Sequence, residues 1–256
     1  MSDFWGSFER LKKCTKYSLF REESARLKGK RLDWAYMNKE WPYRPYMPGP
    51  YEKRIPWIFK TVLERTEKDP VIMFENTMRD LRKEWKDMPV HGPWHHTILP
   101  GILLAALRNN GYSFSDEDVK EAMFRGHLVP AAACGFLGTC GCAVGVGIAV
   151  SIITGSTPLH DKERSTTLIH TGEAIKKVGI AGTGPMGHCC NKSALLSIMY
   201  AVKILSELGY KVPSPKPREM VGRCKVWNLN ERCHKEKCMF YPGLLKRKGQ
   251  HNNRVS

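Results

Sequence analysis

The spacing of apolar and polar positions predicts a mainly α-helical protein. Apolar residues recur at helical spacing in several segments, and capping residues stand at many of the segment ends. Ser115 and Gly126 are expected to begin and end one helix, and Pro100 to kink the helix before it. The predicted helices cover residues 8–35, 70–86, 93–109, 116–125, 161–178 and 192–208.

A long uncharged stretch interrupts this pattern between Gly126 and His160. Its length raises the question of a membrane span. Its glycines and small residues, and the thiols of Cys134, Cys140 and Cys142 at its start, favour a buried helix instead, because a lipid-facing helix would be richer in large apolar residues. We therefore predict a single helical domain around a buried Gly/Cys-rich central helix, and no membrane-spanning segment.

Composition divides the chain into four parts. We predict a basic, aromatic N-terminal extension (1–90), a helical core domain (91–210), a cysteine-rich metal-binding segment (211–242) and a basic disordered tail (243–256). Five prolines in residues 41–57 favour extended backbone, with aromatic side chains interleaved with Arg and Lys. Such a stretch either packs on a neighbouring domain or stacks against single-stranded nucleic acid.

The net charge of +16 lies mainly in the two ends of the chain: it is +6 over residues 1–90, +1 over 91–208 and +9 over 209–256. Basic arms of this kind bind RNA, an anionic membrane or an acidic partner, or are simply a solvated surface. No apolar run of signal-peptide length opens the sequence, so we expect the cytoplasm. In that reducing compartment the nine cysteines are ligands or nucleophiles rather than disulfides.

The strongest chemical signal is the group Cys224, Cys233 and Cys238, spaced C-x8-C-x4-C in a short polar stretch. A metal gives such a stretch a physical reason to fold, because it offers little apolar surface to bury. Three thiolates suit an iron–sulfur cluster of the 4Fe–4S type, or zinc with a fourth ligand such as His234. Three unligated cysteines are the alternative.

Histidines form a second signal in HGPWHH. His91 and one of its neighbours, with His95 preferred, are candidate metal ligands. His95 and His96 point about 100° apart on a helix, so all three imidazoles are not expected on one ion. A cap or core role is the alternative for each.

Further thiols stand at predicted helix starts. Cys134 and Cys140 are candidate metal ligands, with a buried core role as the alternative. Cys189 and Cys190 precede a helix whose N-terminus favours thiolate, so we predict them as catalytic thiols or additional ligands. Adjacent cysteines do not easily share one ion, so the two are expected to divide their roles.

A G-x-G-x-x-G match at Gly182, Gly184 and Gly187 is not interpreted as a dinucleotide site. That fingerprint needs a strand on each side. Here a helical pattern precedes the match and a proline-broken stretch, GYKVPSPKP, follows the next helix.

Four motifs in this order, HGPWHH, ACGFLGTCGC, HCCNKSALLSI and the closing C-x8-C-x4-C, resemble an uncharacterised family of archaea and anaerobic bacteria. The resemblance covers about residues 88–242. It implies an anaerobic setting and thiol, sulfur or methyl-group metabolism, because family members occur alone or joined to class I methyltransferase modules. The chain departs from the pattern at Trp94, where an acidic residue is expected, and at Cys142, an added thiol.

Two functions are therefore predicted. The first is an iron–sulfur or other metal-binding protein of anaerobic thiol metabolism, with a methyltransferase or a sulfur-transfer protein as partner. The alternative is a non-catalytic, zinc-stabilised module that binds RNA or a protein partner through the basic arms. Whether the protein is an enzyme stays open at this point.

Overall fold

The computed structural model describes residues 51, 53–131, 133–182, 189–231 and 233–245. Within them the chain is mainly helical and contains no strand, which confirms the predicted class. Short 3-10 turns follow the last long helix at Pro217–Met220, Trp227–Leu229 and Lys235–Lys237. The α-helices are α1 (Ile55–Leu63), α2 (Pro70–Glu84), α3 (Trp94–Asn109), α4 (Asp116–His127), α5 (Ala133–Phe136), α6 (Gly141–Thr154), α7 (Asp161–Gly182) and α8 (Cys190–Glu207).

The helix at the centre is α3, although the sequence predicted the Gly/Cys-rich α6 for this position. All residues of α3 except Arg108 and Asn109 are buried, and the helix contacts α1, α2, α4, α6 and α8. An apolar run that surrounds a helix on every side requires neighbours on every side. The Gly/Cys-rich α6 packs beside α3 and also contacts α4, α7 and α8.

The caps of α4 show where local sequence rules succeed and where packing overrides them. The Ser115 side chain accepts a bond from the Asp118 amide, and the Asp118 carboxylate accepts one from the Ser115 amide, which confirms the predicted start. The helix passes through Gly126 and ends at His127, so the predicted end at Gly126 is wrong. Gly126 instead permits close packing, since a Cβ there would lie 2.2 Å from the backbone oxygen of His96.

The uncharged stretch forms two helices rather than one. The short α5 is followed by Gly138, whose φ of +65° turns the chain, and Cys140 then becomes the N-cap residue of α6. Cys134 and Cys142 consequently lie on different helices. No helix within the described ranges is long and apolar enough to cross a membrane.

Residues from Tyr51 to Met88 share the hydrophobic core with the later helices. The Tyr51 hydroxyl is hydrogen-bonded to Thr97 of α3 at 2.6 Å, and α1 and α2 bury apolar side chains such as Ile58 and Phe74 in the same core. The helical core therefore includes α1 and α2, on the N-terminal side of the boundary that the sequence placed at residue 90. The predicted helix at 8–35 and the tail from 246 lie outside the described residues.

The cysteine-rich segment folds back onto the helices, and it has more apolar anchoring than its polar composition suggested. Met220 and Phe240 are fully buried in the core. Two backbone bonds join the ends of the segment, from the Gly222 amide to the Met239 carbonyl (2.9 Å) and from the Cys224 amide to the Phe240 carbonyl (2.7 Å). These bonds bring the first cysteine of the segment beside the last.

Candidate metal centre

Cys224, Cys233 and Cys238 converge on one small cavity together with Cys189. We call it the four-thiol cavity. Its volume is about 20 Å³, enough to admit a water molecule. The remaining lining residues are Asn191, Lys192, Val226, Trp227, Asn230, His234, Phe240 and Tyr241.

Two parts of the chain build this cavity. Cys189 is the N-cap residue of α8, so its thiol lies at the end of a helix where backbone amides are free to donate. Cys233 and Cys238 flank the 3-10 turn at Lys235–Lys237, and Cys224 follows the left-handed Gly222. Tight turns of this kind present sulfur atoms on the inside of a loop.

Each of the four sulfur atoms accepts a hydrogen bond from the backbone amide two residues further along. Such bonds stabilise thiolate over thiol, and in metal centres they tune the properties of the ligand sulfur. The Lys235 amide lies 3.4 Å from the Cys233 sulfur. The amide donors to the other sulfurs are Asn191 and Lys192 for Cys189, Val226 for Cys224, and Phe240 and Tyr241 for Cys238.

Side-chain amides reinforce these contacts. The Asn191 Nδ2 donates to the Cys224 sulfur at 3.5 Å, and the Asn230 Nδ2 donates to the Cys189 sulfur at 3.7 Å. Neither asparagine was predicted from the sequence. In the sequence Asn191 directly follows Cys190, and Asn230 lies between Cys224 and Cys233. This nearness to cysteines is the only feature of the sequence that could have indicated the two asparagines.

Burial in the cavity favours the protonated thiol at Cys189, Cys224 and Cys238. Burial raises the pKa of Cys224 to about 11 and raises the pKa of Cys189 and Cys238 as well, and neighbouring thiols add to this effect. A cation that binds thiolate must therefore displace protons, which makes its affinity depend on pH.

Lys192 supplies positive charge at the cavity. It is buried, and its charge lowers the pKa of Cys189 and Cys238 against the larger effect of burial. Its ammonium group donates to the Ala181 carbonyl and lies 3.4 Å from Nδ1 of His234. A buried cation beside four thiols offsets part of the negative charge that they carry as thiolates.

His91 lies behind the cavity rather than in its lining. Its Nδ1 accepts from the Cys190 amide at 3.5 Å, so its Nε2 carries the hydrogen and donates to Asn230 Oδ1 at 3.1 Å. Because Asn230 in turn donates to Cys189, His91 orients a residue that contacts the cavity. The role of His91 as a direct ligand stays a prediction.

His95 and Trp94 are surrounded by the aromatic core. Trp94 packs edge-on against Trp85, and the His95 ring lies between Trp94 and Phe74. Burial lowers the pKa of His95 to about 3, so the ring is neutral, and its Nδ1 donates to the Gly92 carbonyl at 3.0 Å. Its Nε2 is buried without a hydrogen-bond partner. The role of His95 as a metal ligand stays a prediction.

The other predicted thiols lie outside the four-thiol cavity. Cys190 is next to Cys189 in sequence but does not line it, and Cys134 and Cys140 are likewise absent from its lining. Of the two adjacent cysteines, only Cys189 therefore lines the cavity, and the division of their roles stays a prediction. In the part of the chain that the structure describes, no three Cys, His, Asp or Glu side chains already have the arrangement of ligands around a single metal ion.

Helices packed around α3 and a thiol-lined cavity closed by the C-terminal segment define a helical protein with a cysteine-based candidate site. A family model matches residues 58–241, and the chain belongs to that family, DUF5714, a family of unknown function. The match begins within α1, about 30 residues before the resemblance noted from the motifs. Neither a curated protein nor a solved structure matches the chain significantly.

Proposed function

We propose that this protein binds an iron–sulfur cluster through Cys189, Cys224, Cys233 and Cys238 and takes part in thiol or sulfur redox metabolism. The observation that carries the proposal is the convergence of four thiols on one cavity, each with a backbone amide donating to its sulfur. Four cysteines are the usual ligand set of such clusters.

The spacing of the thiols would differ between a single zinc ion and a cluster. Four sulfurs bound to zinc at 2.3 Å lie only about 3.8 Å from one another, in van der Waals contact. The four-thiol cavity admits one water-sized body, and a 4Fe–4S core is several times larger than a water molecule. A single ion would draw the sulfurs together, whereas a cluster would require the segment that carries Cys224, Cys233 and Cys238 to move outward.

The identity of the ligands favours electron transfer. With four cysteine ligands a cluster of the 4Fe–4S type has no open iron and supplies one-electron transfer. The amide donors and the buried Lys192 stabilise additional negative charge at the sulfurs, which favours the reduced state. Val226 and Phe240 form apolar walls that limit access of water.

Anaerobic reconstitution with iron and sulfide tests the proposal. We expect iron and acid-labile sulfide in similar amounts, with the absorption and electron paramagnetic resonance of a cluster after reduction. The double variant C224S/C238S should lose the cluster bound at the four-thiol cavity. Met239→Leu is the matched control, because it changes the residue beside Cys238 without removing a thiol.

A colourless protein without iron after reconstitution would overturn the proposal. Stoichiometric zinc without sulfide would support the alternative instead, a zinc-stabilised module. The charge of +9 over residues 209–256 favours RNA as its partner in that case. RNA binding should then weaken steeply with salt.

A further inference from the structure

A second group of thiols lies beside the four-thiol cavity and has no part in it. Its members are Cys134, Cys140, Cys142 and Cys190, and we call it the second thiol group. The Cys142 thiol donates to the Cys190 carbonyl oxygen at 3.9 Å, and its side chain is also hydrogen-bonded to that of Cys140. The Cys190 sulfur accepts from the Gly92 amide.

The ends of two long helices bring the second thiol group together. Cys140 is the N-cap residue of α6, and Cys190 is the first residue of α8, so both thiols stand where helix dipoles favour negative charge. Gly141 allows this convergence. A Cβ at Gly141 would lie 2.2 Å from the His96 ring, so a larger residue could not hold Cys140 and Cys142 at this place.

The four thiols are close enough to influence one another. Burial raises the pKa of Cys190 to about 12, and the neighbouring thiols of Cys140, Cys189 and Cys134 act in the same direction. Cys140, Cys190 and Cys134 all act in the same direction on the pKa of Cys142. Cys140 and Cys142 are buried, whereas Cys134 is exposed at the edge of the group. Cysteine sulfur is the ligand that zinc and iron–sulfur clusters prefer, so thiols gathered in this way form a candidate ligand set.

We propose that the second thiol group is a second site for a thiophilic metal, either zinc or iron of another cluster. The Cys189–Cys190 dipeptide then supplies one ligand to each of two centres. Cys189 lines the four-thiol cavity, whereas the Cys190 carbonyl oxygen lies 3.9 Å from the Cys142 sulfur of α6 and the Cys190 sulfur accepts from the Gly92 amide. Binding draws the four sulfurs together, and each thiol that becomes a ligand releases one proton to solvent.

Cobalt(II) titration of the full chain, purified without metal under reducing conditions, tests this site. Cobalt bound by thiolates gives a charge-transfer band, so the number of equivalents that produce the band counts the thiolate sites. We expect two equivalents for the wild type. The variants C224S/C238S and C134S/C140S should each retain one equivalent, and the fourfold variant none. Each double variant is the matched control of the other.

The outcomes separate this inference from the proposed function. If the wild type shows the band and a folded C224S/C238S variant does not, the second site is overturned and the four-thiol cavity is supported. Loss of the only band in C134S/C140S instead overturns the four-thiol cavity and supports the second site. Circular dichroism reports folding in every case.

Alkylation of the wild type gives a test that needs no variant. Zinc should protect Cys134, Cys140, Cys142 and Cys190 against a thiol reagent in peptide mass spectrometry, with the exposed Cys134 showing the largest change. Unchanged alkylation of Cys134 at saturating zinc would also overturn the inference.

Discussion

At the scale of single residues, the cavity depends on small polar contacts to sulfur. Amides two residues beyond each cysteine donate to its sulfur, and Asn191 and Asn230 add side-chain donors. Burial opposes these contacts by raising the pKa of the thiols. The balance suits a ligand that replaces the thiol protons, because the donors remain available to the thiolates.

His95 makes stability depend on pH. Its pKa is about 3 in the folded chain and 6.5 in the unfolded chain, where the ring is exposed to solvent. Between these two pH values the unfolded chain therefore binds a proton that the native chain does not. Stability therefore falls as the pH drops below 6.5, by up to about 1.4 kcal/mol per pH unit. His127 acts in the same direction, since burial lowers its pKa too.

We expect His95→Asn, which keeps a donor toward Gly92 but does not titrate, to reduce the loss of unfolding free energy between pH 6.5 and 4.5 by roughly 2–3 kcal/mol. Urea unfolding at the two pH values measures the difference. His160→Asn is the control, because His160 is exposed. Equal losses in the His95→Asn variant and the wild type would contradict this assignment.

At the scale of helices, close packing against α3 decides where glycine is needed. Gly126 of α4 faces the backbone of α3, with a potential Cβ 2.2 Å from the His96 oxygen and 2.9 Å from Pro100 Cγ. Backbone atoms cannot rotate away as side chains do. Gly172 of α7 is the opposite case, since nothing lies within 4 Å of its potential Cβ.

Gly126→Ala should therefore destabilise the protein by about 1–3 kcal/mol through overpacking. Gly172→Ala should stabilise it by about 1 kcal/mol, because alanine favours a helix more than glycine does. Thermal and urea unfolding of the two variants measure these changes. Similar effects of the same sign at both positions would show that the α3–α4 contact is less tight than the structure indicates.

At the scale of the whole molecule, the C-terminal segment closes the cavity only because it docks on the helices. Met220 and Phe240 enter the core, and Arg223 forms a two-point ion pair with Glu75 of α2, with distances of 2.6 and 3.1 Å. The pair joins residues far apart in sequence and is mostly shielded from solvent. Loss of this docking would separate three of the four cavity thiols from Cys189.

We expect Glu75→Gln to weaken docking by about 1 kcal/mol, since the bidentate ion pair becomes a neutral contact. Hydrogen exchange should then speed up at the amides of Gly222 and Cys224 while α6 and α8 stay protected. Glu64→Gln is the control, because Glu64 pairs with Lys60 at the exposed surface of α1. Unchanged exchange in the segment would show that the apolar anchors alone hold it.

Local sequence rules were sufficient for much of the helical framework. The predicted start of α4 at Ser115 follows from side chains that act within one turn of the chain, and the predicted helix start at residue 161 agrees with that of α7. The C-x8-C-x4-C spacing likewise indicated three of the four thiols that line the cavity, because turns and short spacing are local properties.

Tertiary packing decided the rest. It selected Cys189 as the fourth thiol instead of Cys134 or Cys140, placed α3 at the centre, and brought the buried Lys192 to the cavity. These outcomes depend on which helix faces meet and on how the C-terminal segment folds back. Sequence periodicity specifies that a face is buried but not which partner covers it, so only the packed structure determines which thiols share a site.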